Sequence, residues 1–322
     1  MSGPLLRVEG LCVDYVGAKQ WVRAVDDVSF EVMPGEIMGL AGESGSGKST
    51  IIQALMRVLK PPGVITGGEV EFDGTDVLAL DKRGLRQLRW RDISLVCQSA
   101  MNALNPVITI GEQLGDAVEA HEGVSRTAAL DRARELLGLV GIEPERVHAY
   151  AHELSGGMRQ RVVIAMALAL QPRLVLMDEP TTALDVVVQK EILQQVIRLR
   201  REFGFAVIFI THDLSLMFEL CTHVGILYAG RLVEHAPSSA LFDEPLHPYT
   251  VGLMQSFPDL HGEGEDLVGV PGNPPDLRRP PSGCRFHPRC GRAEPGCSEL
   301  VPPLQLLGPE RRAACHLLEV GE

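Results

Sequence analysis

Gly42-Glu43-Ser44-Gly45-Ser46-Gly47-Lys48-Ser49 is the stretch on which the reading of this chain turns. It fits the pattern G-x-x-x-x-G-K-[ST]. Before it stands the short apolar run Glu36-Ile37-Met38-Gly39-Leu40-Ala41. After it, residues from Ser49 to Leu59 have helical character until Pro61-Pro62-Gly63 stops them. Strand, glycine loop and helix start in that order let backbone N–H groups curl around phosphates at the positive end of a helix. Gly42, Ser44, Gly45, Ser46 and Gly47 form the cradle. Lys48 is placed to reach the β- and γ-phosphates of ATP, Ser49 to put its hydroxyl on Mg²⁺, and Thr50 to add a phosphate contact. A plain flexible turn would not require these flanks.

A second glycine-rich octapeptide, Leu154-Ser155-Gly156-Gly157-Met158-Arg159-Gln160-Arg161, follows about a hundred residues later. Ser155 reads as an N-cap, and Gly156 and Gly157 leave N–H groups open at a helix start, a geometry that suits a γ-phosphate. On its own a helix cap is the better reading. Beside the first loop, it reads as a surface that completes an ATP site held by another subunit. Asp178-Glu179 follows the apolar run Leu174-Val175-Leu176-Met177, where α/β sheets bind ligands at strand ends. Asp178 would hold Mg²⁺ through water, and Glu179 would polarise the attacking water as general base. The alternative is a pair of solvated acids in a turn. Gln98, after Ile93-Ser94-Leu95-Val96-Cys97, could bind Mg²⁺ or the attacking water, or cap a turn. His212, after Ala206-Val207-Ile208-Phe209-Ile210-Thr211, could sense the γ-phosphate, or be a structural donor.

The 322 residues allow a large domain with an extension. Hydrophobic residues make up 45% and charged ones 22%, which fits a sizeable core. A net charge of −12 without a long basic run argues against nucleic acid as the main partner. The most apolar stretch, residues 162–170, is far short of the ~20 residues needed to span a bilayer. Met1-Ser2-Gly3-Pro4 does not begin a signal-peptide pattern, so a cytoplasmic location is expected. Leu5–Glu9, Val28–Val32 and Glu69–Phe72 read as strands. Helical periodicity dominates residues 107–150, including Ala128 to Val140. Beyond it, residues 162–170 and 188–203 read as helices between the strands at 174–177 and 206–210. That alternation predicts a largely parallel sheet covered on both faces. From residue 236 proline, glycine and cysteine rise, which predicts a loop-rich appended module.

Taken together, these motifs resemble the ATP-binding subunits of ABC transporters, over about residues 5–235. The resemblance implies an α/β fold: a P-loop NTPase, ABC-type nucleotide-binding domain with an antiparallel β subdomain, an inserted helical subdomain and a Cys-rich C-terminal extension. It places the ATP-binding domain at 1–235, its helical subdomain at about 99–155, and the extension at 236–322. Gly42–Ser49 matches Walker A, Gln98 the Q-loop, Leu154–Met158 the signature, Asp178 the end of Walker B, Glu179 the catalytic glutamate, Ala183-Leu184-Asp185 the D-loop and His212 the switch histidine. The adenine-stacking aromatic maps to Tyr15, with Trp21 as alternative. Met158 departs from the usual LSGGQ form, but Met-Arg-Gln-Arg is similar to the peptide-importer branch. So are Gln98 to Pro106, His247-Pro248-Tyr249-Thr250, Val270-Pro271-Gly272 to Pro275, and Gly283 to Cys290. Nickel importers share much of this pattern.

The resemblance implies an ATPase on the cytoplasmic face of a membrane, powering dipeptide or oligopeptide import. Its partners would be two permease subunits, a second ABC ATPase that differs from this chain more often than it copies it, and an extracytoplasmic peptide-binding protein. A soluble ABC ATPase outside transport is the competing class. Cys284, Cys290, Cys297 and Cys315 lie within the last 39 residues. In a reducing compartment such a cluster predicts a metal site rather than disulfides. Its uneven spacing leans toward a [4Fe–4S] cluster, with Zn²⁺ as the alternative and His287 and His316 nearby.

Overall fold

A computed structural model describes residues 3–17, 21–98, 103–182, 184–256 and 269–318. The chain divides into two compact units. The first holds Met1–Val32, Ile37–Leu78 and Phe209–Glu322; the second holds Met33–Glu36 and Ala79–Ile208. Among the described residues no helix is long and apolar enough to cross a membrane.

In the first unit, β1 (Leu6–Val16), β2 (Trp21–Val32), β4 (Gly63–Phe72) and β5 (Thr75–Asp76) make an antiparallel sheet in the order β2-β1-β4-β5. Leu6 of β1 pairs with Val32 on one side and Phe72 on the other. Leu6, Val8, Leu11 and Val13 are fully or almost fully buried, so β1 serves as the sheet's apolar spine. Between β2 and β4 in sequence come β3 (Ile37–Ala41), all five residues of it buried, and α1 (Lys48–Leu55). Sequence periodicity carries α1 on to Leu59. Instead it stops after two turns, and Arg57 takes a left-handed φ of 50°.

The second unit contains α2 (Lys82–Arg91), β6 (Ile93–Val96), α3 (Ile110–Glu122), α4 (Arg126–Leu139), α5 (Gly156–Ala167), β7 (Leu174–Asp178) and α6 (Val186–Phe203). β8 (Ala206–Ile210) carries the chain from the second unit into the first. β6 and β7 are parallel, with Val96 opposite Met177. Helix α3 starts in a capping box: Thr109 accepts from Glu112 N–H, and Glu112 accepts from Thr109 N–H. Those backbone and hydroxyl donors from Thr109 hold the Glu112 carboxyl below its usual range. Ser125 caps α4 by accepting from Ala128 N–H. Ala129, Ala133, Leu136 and Leu137 form the buried stripe of α4 at helical spacing and pack it on α3.

The first unit resumes with α7 (Leu214–Leu220), β9 (His223–Tyr228), β10 (Arg231–Pro237), α8 (Ser238–Asp243), α9 (Pro248–Gln255), β11 (Gln305–Gly308) and β12 (Arg311–Ala313). β9 runs parallel to β3, but β10, β12 and β11 then follow antiparallel. The largely parallel sheet predicted from sequence is therefore mixed. The reversal sits at Ala229-Gly230, with φ of 49° and 86°. Two consecutive left-handed residues match the right-handed twist of a two-residue hairpin.

The metal site expected at Cys284, Cys290, Cys297 and Cys315 is not supported. All four are free cysteines, and among the described residues no group of three or more His, Cys, Asp or Glu side chains is placed to hold a metal ion. The neighbouring histidines are turned to backbone: His287 Nδ1 lies 2.9 Å from Cys284 O, and His316 Nε2 lies 2.8 Å from Leu300 O. Burial raises the pKa of the Cys284 and Cys315 thiols. The segment holds together by other means. Cys284 N–H donates to Cys297 O at 2.8 Å. The Arg285 guanidinium is buried against Asp26. Neither an iron–sulfur cluster nor zinc is supported at these residues.

Candidate functional site

In the first unit the chain leaves buried β3 and turns sharply at Gly42, where φ is 140°. A Cβ there would sit 2.1 Å from Leu227 O, so only glycine fits. Gly47, with φ 105°, ends the loop as the N-cap of α1, and a Cβ there would lie 2.5 Å from Ala24 O. Over Gly45, by contrast, there is open space. The loop wall is thus packed against backbone, and its other side is open. No side chain caps α1, and its first turn carries no acid, which leaves the helix start available to an anion.

Lys48 is buried, yet its ammonium donates to Gly42 O at 2.7 Å, Glu43 O at 3.0 Å and Ser46 Oγ at 3.3 Å. It spans the mouth of the loop, where phosphate oxygens could replace these carbonyls. Ser44 and Gly45 are exposed, and Ser49 and Thr50 half-buried. The Tyr15 hydroxyl on β1 lies 3.5 Å from Thr50 Oγ1, which brings its ring beside the start of α1. Trp21 is 56% exposed and stacks under the Arg23 guanidinium, 5.0 Å from its ring centre. His212 is exposed just beyond β8, next to Asp213, which caps α7.

In the second unit β6 and β7 end side by side, and that register brings Gln98 to Glu179. Gln98 Nε2 donates to Glu179 Oε2 at 2.9 Å. Thr182 Oγ1 donates to the same oxygen at 3.0 Å. Asp178, the last residue of β7, is buried, while Glu179 is half-buried with a left-handed φ of 47°. For a non-glycine residue that conformation costs roughly 1 kcal/mol or more, and it is tolerated where the side chain must be aimed. Thr182 has no signature in the sequence; only its position three residues after the acid hinted at a contact.

Ser155 caps α5 by accepting from Met158 N–H at 3.3 Å, so Gly156 and Gly157 are the first residues of the helix. Arg159 braces the approach from behind, donating to Ala151 O at 2.7 Å and Leu154 O at 3.1 Å. Asp185 caps α6 through Val188 N–H at 3.0 Å. Ala183 of the D-loop match, and residues 99–102 of the stretch after Gln98, lie outside the described residues.

An open glycine loop with its lysine, a strand-end acid held by a glutamine, and a glycine-opened helix start define an ATP-binding cassette. The family profile described as "ABC transporter" matches residues 25–182. A dimeric ATP-binding cassette solved in a post-hydrolysis state with ADP and Pi is 29% identical, with a TM-score of 0.64 over 72% of this chain and 98% of that one. A second profile, "Oligopeptide/dipeptide transporter, C-terminal region", matches residues 233–297. The oligopeptide transport ATP-binding protein OppD of Salmonella typhimurium is 44% identical over 97% of this chain and 93% of its own length. The dipeptide transport ATP-binding protein DppD of Caldanaerobacter subterraneus is 42% identical over 98% of both. The chain belongs to the ABC transporter family, in the branch of peptide-transport ATP-binding proteins.

Proposed function

We propose that this protein is the ATP-hydrolysing subunit that powers import of dipeptides or oligopeptides through a membrane ABC transporter. The observation that carries this reading is the match to peptide-transport ATP-binding proteins across almost the whole chain, both octapeptides included. Gly42–Ser49 holds the phosphates of ATP, and Tyr15 supports the adenine. For Mg²⁺, Ser49 would offer a hydroxyl, and Gln98 and Asp178 would offer oxygens, a hard donor set by residue type. Held by these residues, the ion would supply positive charge to offset that of the phosphates.

Glu179 takes the role of general base for the attacking water, with Gln98 and Thr182 fixing its carboxylate. His212 contacts the γ-phosphate. Ser155, Gly156 and Gly157 complete the site of a second ABC ATPase, with Asp185 beside them, and the second subunit returns the contact. Because γ-phosphate contacts on both sides exist only in the closed pair, ATP binding favours closure and hydrolysis releases it. A different second ATPase fits this branch better than a copy of the chain.

The helical stretch at about 99–155 passes the motion to two permeases, and a peptide-binding protein delivers cargo outside. The protein thus works peripherally on the cytoplasmic face. Residues 1–235 act as the ATP-binding domain, and 236–322 as its extension. Purification from detergent-extracted membranes tests this reading: two permeases should accompany the tagged chain. Recovery with ribosomes or DNA and no permease would contradict it.

A further inference from the structure

Residues beyond β10 reach the phosphate loop, and they converge on Glu43, its second residue. All the groups involved belong to the first unit. Glu43 N–H donates to the Tyr249 hydroxyl at 2.9 Å. The Glu43 carboxylate takes a two-pronged bond from Arg289, with Nη1 to Oε2 at 2.8 Å and Nη2 to Oε1 at 3.0 Å. Arg289 is itself held in place, with Nε on Pro271 O at 2.6 Å and Nη1 on the Tyr228 hydroxyl at 3.3 Å. Its side chain is only 7% exposed. Under it, the rings of Tyr249 and Tyr228 pack 4.5 Å apart, and both contact Phe286, at 5.4 and 5.1 Å.

Glu43 is therefore tied at each of its polar groups: the N–H to Tyr249, the carboxylate to Arg289, and the carbonyl to Lys48 at 3.0 Å. A loop this rich in glycine loses much conformational entropy when it is ordered around a ligand. If Lys48 turns to phosphate, its bonds to Gly42 O and Glu43 O are lost. The two ties from beyond β10 do not involve Lys48 and would persist. A bidentate, largely buried arginine–carboxylate pair is the strong and geometrically exact form of such a tie.

We propose that Arg289 and Tyr249 are positioning residues for the phosphate loop, so that the segment after β10 sets nucleotide affinity by holding Glu43. This rests on the reading that Gly42–Ser49 binds ATP. Preordering the loop lowers the entropy cost of binding, so the loss on mutation falls on affinity and on KM for ATP more than on kcat.

The test uses the full-length chain and titrates ATP by calorimetry into wild type, Arg289→Met, Glu43→Gln, the double variant and Tyr249→Phe. Arg289→Met and Glu43→Gln should each weaken ATP binding about tenfold, which corresponds to ~1.4 kcal/mol. The double variant should be no weaker than the worse single, because both remove one shared interaction. Tyr249→Phe should cost roughly two- to fivefold, since one neutral hydrogen bond is lost. If Arg289→Met does not fold, Glu43→Gln and Tyr249→Phe decide. Unchanged affinity in these folded variants, or additive losses in the double, would overturn the proposal and leave Arg289 a structural anchor. Wild-type chain that binds no ATP would overturn the functional reading, and this proposal with it.

Discussion

At Glu179 two donors that are distant and near in sequence, Gln98 and Thr182, meet on one carboxylate oxygen. In its proposed role as general base Glu179 would need its lone pairs aimed, so these contacts should matter for rate more than for binding. Thr182→Val keeps the shape and removes one donor. We expect kcat to fall about tenfold, with ATP affinity within about twofold, in steady-state hydrolysis and ATP titration. A change confined to affinity would place Thr182 elsewhere in the cycle. None of this geometry was legible from residue types. Gln98 and Glu179 were each recognisable by position after an apolar run, but their contact depends on the parallel register of β6 and β7. Thr182 is an ordinary threonine in a turn. At Lys48 the converse holds, because the octapeptide prescribes the lysine, the glycines and the open helix start together.

Among the elements, the start of α9 holds a second kind of information. His247 caps that helix, with Nδ1 accepting from Tyr249 N–H at 3.0 Å. Burial lowers its pKa from the ordinary 6.5 to about 3. Folded protein thus keeps His247 neutral while the unfolded chain takes up a proton below about 6.5. Stability should fall as pH drops from about 6.5 toward 3, by up to ~1.4 kcal/mol per pH unit from this group. Buried Glu234, which accepts from Leu246 and His247 N–H, works with the opposite sign. Burial raises its pKa above 4.5, so native protein gains a proton first as pH falls through that raised value. Comparing thermal melts of wild type and His247→Asn between pH 7 and pH 4 isolates the histidine. The variant should lose less Tm across that range, and parallel curves would remove His247 from this role.

Apolar runs located β3, β7 and β8 from sequence because each is buried along its full length. The β9–β10 hairpin escaped notice because Ala229 takes a left-handed conformation without the usual asparagine or glycine. Cysteine clustering misled for a related reason. Proximity in sequence does not by itself assemble a ligand set, and among the described residues no group of three or more His, Cys, Asp or Glu is placed to hold a metal ion.

As a whole molecule the protein is proposed to act as one half of a paired device. In the proposed function Ser155 and the glycines after it would serve a partner's ATP, so Ser155→Arg should leave this chain's own ATP binding intact while weakening ATP-driven pairing with the second ATPase about tenfold or more. Sedimentation of the two subunits with a non-hydrolysable ATP analogue checks that, and equal pairing would move the interface. In the proposed function Glu179 would act as general base on the ATP that Gly42–Ser49 would hold. The most direct measurement is phosphate release from MgATP by wild type and Glu179→Gln, each with ATP binding measured alongside. The account predicts ATP bound by both, and turnover in the variant lowered by about a hundredfold or more. Turnover at the wild-type rate in a Glu179→Gln protein that binds ATP normally would contradict it.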